Sequence, residues 1–334
     1  MKLIAETAWH HEGNFSFMKN LISDIVNKTN ADIVKMHITL DFDEYMDSSH
    51  ELYKKLKSML FHKDQWHELI SMVKESGKEL MLIPNDTTAI DFAARYNPQF
   101  IELHSVWLNV PHLQSQILKR FNPETKIVIG VGGCTLQEID SVVKIFKNRK
   151  TILMFGFQNY PTKYEDVNLS KIKKIQSSYP DKLFGYADHT GWNEPNNELI
   201  TLLVSSNNMD FVEKHVTNVL GQERIDFSAA ISIEMFNSLS KNIKLLNQIK
   251  GNGLIELNDG EKSYSIYGPM KMAALINSDL NVGHIFSIKD ISFKRTKKKT
   301  DLSQVDIINF IGRKLVKKIS KNEILNSSYF LNTK

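Results

Sequence analysis

"KIVIGVGGCTLQEIDSVVKIFKN" (126–148) reads as one complete structural unit. Its first part, KIVIGVG (126–132), is a short run rich in β-branched residues and apolar on both faces, as a strand inside a parallel sheet must be. Its second part opens with Thr135 and Glu138 in a Thr-x-x-Glu capping box and continues with apolar residues at helical spacing. The same alternation recurs along the chain, with strands predicted at 2–7, 32–38, 79–84, 100–105, 126–132, 151–157, 183–189 and 211–216. Helices are expected between them, among others over 14–29, 63–77 and 135–148. Eight such units in ~250 residues predict a TIM (β/α)8 barrel, an α/β fold, rather than an open doubly wound sheet. No Gly-x-Gly-x-x-Gly follows the first strand, which argues against dinucleotide binding.

Composition narrows the classes further. Of the 334 residues, 42% are hydrophobic and 24% charged, ordinary for a globular chain, and the net charge is +4. No apolar run approaches the ~20 residues of a membrane span. The N-terminal MKLIAETAWHH has one lysine and too short an apolar stretch for a signal peptide, so a cytoplasmic, membrane-free protein is expected. The single cysteine, Cys134, excludes an internal disulfide and reads as a packed small residue. Basic residues gather late, in KRTKKKTD (294–301) and GRKLVKK (312–318), too locally for a nucleic-acid surface. After about residue 260 the texture changes to short apolar segments broken by turn residues. The expected organisation is therefore a barrel over 1–250, a linker over 251–264 and a small β-rich module over 265–334.

In a barrel, residues at the C-terminal ends of strands face the mouth where chemistry is done. Here those ends are polar: Glu6 with His10 and His11, Lys35 and His37, Asn85 and Asp86, His104, Asp188 and His189, Glu213 and His215. His189 and His215 close consecutive strands, and two neutral imidazoles there suit a divalent first-row metal.

A set of longer stretches resembles the sialic acid synthase family, which includes the N-acetylneuraminate, pseudaminic and legionaminic acid synthases. They are AETAWHHEGNFSFMKNLI (5–22), ADIVKMH (31–37), NYPTKYEDVNLSKI (159–172), GYADHTGW (185–192) and FVEKHVT (211–217). The likeness continues into INSDLNVGHIFSIKDISFKRT (276–296) and FIGRKLVKKISKNEIL (310–325), which resemble the family's C-terminal antifreeze-like (SAF) domain. The resemblance implies a metal-dependent condensation of phosphoenolpyruvate (PEP) with an N-acylated amino-sugar aldehyde, giving a nonulosonic acid and phosphate. It places the metal on His189 and His215, with Mn²⁺ first and Mg²⁺ or Co²⁺ as alternatives. It makes Glu6 a catalytic acid beside the sugar and Lys35 the lysine that approaches the PEP phosphate. Substrate contacts fall on Tyr160 and Asp226, and two histidines that the family pattern lacks, His37 and His104, are expected to bind substrate in the same mouth. Arg295 would be donated across a domain-swapped homodimer.

Several positions depart from the family pattern. FIELHSV (100–106) offers Ile101, Glu102 and His104 where a lysine and a serine are expected, and Gly130, Phe157, Ile83 and Ala187 replace small polar residues. Each lost donor removes a contact to an anion worth ~1.5–3 kcal/mol. The alternatives are a metal-dependent sugar enzyme of the same fold that does not use PEP, and a noncatalytic homologue.

Overall fold

The computed structural model describes residues 1–156 and 159–330. Phe157, one of the departures above, lies outside them. Eight parallel strands form a closed barrel: β1 (Lys2–Glu6), β2 (Ile33–Ile38), β3 (Glu79–Pro84), β4 (Phe100–Leu103), β5 (Lys126–Gly130), β6 (Thr151–Phe155), β7 (Leu183–Asp188) and β8 (Phe211–Thr217). Each pairs with the next, and β8 returns to β1 with Glu6 opposite His215. A two-residue strand, Ile231–Ser232, extends the end of β8.

Eight main helices pack around the barrel: α1 (Phe15–Lys28), α2 (Lys63–Glu75), α3 (Thr87–Ala94), α4 (Pro111–Arg120), α5 (Leu136–Ile145), α6 (Leu169–Ser178), α7 (Asn197–Ser205) and α8 (Ile233–Lys250). The capping box read at Thr135 and Glu138 forms, with the hydroxyl of Thr135 accepting from the Glu138 N–H at 3.3 Å. Outward-facing strand residues such as Val34, Leu82, Ile101 and Ile129 meet the helices in one large core. Inward-facing ones, Ile4, Ile33, Met81, Phe100, Val128, Ile152 and Phe211, form a second core inside the barrel.

Side chains alternate along a strand, so the residue two beyond each inward apolar residue also faces inward, one layer nearer the mouth. Counting from Ile4, Ile33, Phe100 and Phe211, that residue is Glu6, Lys35, Glu102 and Glu213. The floor of the mouth is therefore charged on top of an apolar plug.

The chain divides into two compact units, Met1–Gly251 and Asn252–Lys334. The second contains one antiparallel pair, Ala273–Ile276 with Ile291–Lys294, plus isolated bridges such as Leu280 to Ile319 and Ile285 to Lys314. Its core includes Ile276, Leu280, Phe286, Leu315, Ile319 and Leu325. Regular strand is thus sparser than the expected β-rich module, because turns interrupt the chain every few residues. The expected linker carries a short helix, Asp259–Tyr264.

Candidate active site

A cavity of about 540 Å³ opens at the C-terminal ends of the strands. Its floor is a cage of buried charge. Nζ of Lys35 lies 3.2 Å from Glu6, 2.8 Å from Glu102 and 2.8 Å from Glu213, and all four side chains are 5% exposed or less. Burial opposes every one of these charges, and the balance among them decides which survive. Burial alone would lower Lys35, but the three carboxylates outweigh it and hold its ammonium well above the usual lysine range. Burial likewise pushes Glu6 up, yet Lys35 and the His215 ring overcome it and keep Glu6 ionised well below the usual carboxylate range. Glu213 goes the other way, pushed well up by burial with Glu6 and Glu102 adding to the effect, so it retains a proton. Glu102 is raised as well, chiefly by burial.

Two histidines converge above this floor. His189 Nδ1 donates to the Ala187 carbonyl at 3.0 Å, which leaves Nε2 as the lone-pair nitrogen, and this atom lies 3.2 Å from His215 Nε2. At metal–nitrogen distances of about 2.0–2.1 Å, two imidazoles in adjacent coordination positions bring their nitrogens about 2.9–3.4 Å apart. The observed pair fits that spacing, and Glu6 Oε2 sits 3.5 Å from the same His215 nitrogen. Burial lowers His189 to about 3, so the imidazole is neutral, as a ligand must be. Among the described residues no three His, Cys, Asp or Glu side chains form a ready metal cage. The donor set is thus a nitrogen pair that would leave further positions to water or substrate oxygens.

Behind the barrel wall, Asp188 and Lys214, whose side chains are fully buried, form an ion pair of 2.8 Å. Burial would raise Asp188, but Lys214 and the hydroxyls of Thr201 and Thr190 hold it below its usual range. Each member is the chain neighbour of one histidine, and the two are in register across β7 and β8. The pair therefore fixes the strand ends that carry His189 and His215.

The remaining expected residues are placed as follows. His37, His104, Tyr160 and Asp226 line the cavity. His37 Nε2 meets Glu6 Oε1 at 2.7 Å, and its ring lies 5.7 Å from that of His104. Burial holds His104 neutral, lowered to about 3. The Tyr160 hydroxyl donates to the Asp226 carbonyl and lies 3.4 Å from His215 Nδ1. Beyond the expected residues, Trp9 also lines the cavity, and Trp192 packs against Gly221. His11 is withdrawn against Phe61, at 4.3 Å between ring centroids. His10 Nδ1 donates to the Ile225 carbonyl at 2.7 Å. Arg295 belongs to the second unit, where its guanidinium donates to the Pro269 carbonyl at 2.7 Å.

Lys35 faces three carboxylates, whereas the resemblance placed it against a phosphate. Of the residues standing where the family lysine and serine were expected, Ile101 points outward into the helix-facing core, while Glu102 and His104 line the cavity. An acid and an imidazole thus occupy the place of a cation and a hydroxyl. Gly130 and Ala187 line the same wall and offer no side-chain donor. Sequence reasoning named Glu213 only as a strand end and Glu102 only as a departure. Their inward register, two residues past Phe211 and Phe100, was the available signal.

Residues 25–254 match the model of the NeuB family. The chain belongs to the NeuB family. An uncharacterized protein of Methanocaldococcus jannaschii is 26% identical over 97% of this chain and 92% of its own length. The N,N'-diacetyllegionaminic acid synthase of Legionella pneumophila is 25% identical over 97% of this chain and 92% of its own. Among solved structures, a spore coat polysaccharide biosynthesis protein E from Chromobacterium violaceum superposes with a TM-score of 0.83, covering 98% of this chain and 99% of that one at 17% identity, a likeness of fold alone. This NeuB-family chain is therefore a sialic acid synthase-like protein, and its low identity to the named synthases accords with the departures in its cavity. No helix among the described residues is long and apolar enough to cross a membrane.

Proposed function

We propose that this chain is a metal-dependent enzyme acting on the carbonyl of an amino-sugar aldehyde, without PEP as its partner. The observation that carries the reading is the His189–His215 pair, with nitrogens 3.2 Å apart at the mouth of a sugar-sized cavity. A divalent metal bound there would supply Lewis-acid polarisation of the aldehyde oxygen. The chain's own residues do the rest. Ionised Glu6, held by Lys35, orients His37 and stands beside His215. Glu213 keeps a proton at the floor, and Asp226 and Tyr160 border the space where sugar hydroxyls would lie.

The narrower reading, PEP condensation to a nonulosonic acid, draws support from the synthase names of the relatives and from the retained Glu6, Lys35 and histidine pair. The charge of the floor weighs against it. PEP brings a phosphate and a carboxylate, which need several donors to replace their hydration. The cavity meets them with Glu6, Glu102 and Glu213 around a lysine that is already engaged.

Calorimetric titration with Mn²⁺, then with PEP in its presence, tests both halves. One Mn²⁺ per chain is expected, lost on His189→Ala and on His215→Ala, with no PEP binding. Failure to bind Mn²⁺ would remove the metal-dependent reading, and metal-requiring, micromolar PEP binding would restore the synthase reaction.

A further inference from the structure

The two oxygens of Glu6 join the histidine pair to a third imidazole. Oε2 lies 3.5 Å from His215 Nε2, and Oε1 meets His37 Nε2 at 2.7 Å. Glu6 is ionised and can only accept, so the hydrogen sits on Nε2 of His37 and the lone pair on Nδ1. That second nitrogen makes no hydrogen bond among the described residues, and the ring lines the cavity on a side chain 15% exposed. A carboxylate behind an imidazole, fixing its tautomer and leaving the far nitrogen unengaged, is the arrangement of a general base. Glu6 is itself held by the buried ammonium of Lys35 at 3.2 Å, so the base rests on a rigid support.

A base so placed has a use that needs no second substrate. Polarising the aldehyde oxygen of an amino sugar at the histidine pair acidifies the hydrogen on the adjacent carbon, C2. C2 lies one bond beyond the carbonyl carbon, and Glu6 spans a similarly short step from His215 to His37. We propose that His37 is the catalytic base of a proton transfer at C2 of an open-chain amino-sugar aldehyde. This deepens the functional reading above and rests on it. The C2–H bond breaks and its proton passes to Nδ1 of His37. The bonding pair becomes the C1–C2 double bond as the carbonyl π pair moves onto oxygen. Return of the proton to C2 reverses both shifts, so no oxidant, reductant or carbon donor is consumed. Such a reaction asks nothing of a phosphate site, in keeping with a floor whose lysine is already engaged by carboxylates.

The test is deuterium wash-in by the Mn²⁺-loaded full chain in D₂O at neutral pH. The probes are D-glucosamine, D-mannosamine and D-galactosamine with their N-acetyl forms, recovered into H₂O and read by mass spectrometry for deuterium retained on carbon. At least one of these sugars is expected to take up deuterium at C2. His37→Gln should slow that uptake by about 100-fold or more while Mn²⁺ is still bound, a split that a merely structural role would not give. In the metal-free chain, ¹⁵N NMR should show His37 carrying its hydrogen on Nε2, with the preference lost in Glu6→Gln; this readout decides the matter should His37→Gln not fold. No uptake by any of the sugars, an unchanged rate in folded His37→Gln, or a wild-type hydrogen on Nδ1 would overturn the inference. Mn²⁺ binding, measured separately, keeps the two readings apart. Bound metal without deuterium uptake defeats this inference alone, whereas failure to bind metal defeats the functional reading beneath it.

Discussion

Buried histidines make the stability of this protein depend on acid. Burial lowers His104 and His11 each to about 3, with neighbouring imidazoles adding to the effect. In the unfolded chain both would titrate near ~6.5, so between that pH and about 3 the unfolded state binds protons that the folded state refuses. Stability is therefore complete above the unfolded value and falls as pH drops below it, by at most about 1.4 kcal/mol per pH unit for each imidazole. Urea unfolding at about pH 7 and about pH 5 should show the loss, and His104→Asn should reduce it; an identical loss in the variant would assign the effect to other groups. The histidines of the site were legible one at a time, as polar residues at strand ends. Their neutrality was not, because desolvation depends on what packs over the ring, and His11 is covered by Phe61 and Trp66 from a distant helix and its approach.

At the scale of the element, the strands were readable to within a residue or two because both faces of each are buried and their sequences are continuously apolar. Register was not readable. The meeting of Glu6 with His215 requires β1 to close on β8 across more than 200 residues of sequence. The β6–β7 pair shows how tightly such closure is packed. Gly156, just past β6, has φ of +109°, and a Cβ there would lie 2.1 Å from the Ala187 carbonyl oxygen, which is backbone and cannot rotate away. Gly156→Ala should therefore cost more than about 4 kcal/mol and displace the strand end that carries His189. Thermal unfolding followed by circular dichroism, with Mn²⁺ binding as a second readout, checks this; a variant with an unchanged melting temperature and full metal binding would contradict it.

For the whole molecule, two units that share no core imply two stability units. The barrel unit and the C-terminal unit each bury their own apolar set, and the segment joining them exposes Leu254 at 67%, Ile255 at 98% and Leu257 at 48%. Such a backbone, poor in buried contacts, is where a protease enters first. Brief trypsin digestion should cut at Lys250 or Lys262 and leave two resistant fragments; an earlier cut inside the barrel would show that the units do not hold separately. The change of texture near residue 260 made this division visible in the sequence, since turn residues interrupt every helical period beyond it.

The sequence by itself determined the repeating strand–helix units, hence the barrel, and the polar strand ends that had to gather at its mouth. Both follow from local periodicity, which each segment carries without reference to the others. Only the tertiary structure decided that Lys35 lies inside a cage of Glu6, Glu102 and Glu213, and that His189 and His215 bring two nitrogens together. Those contacts join four or more strands, and which charges persist in them is set by burial and mutual distance. Neither quantity exists until the barrel closes.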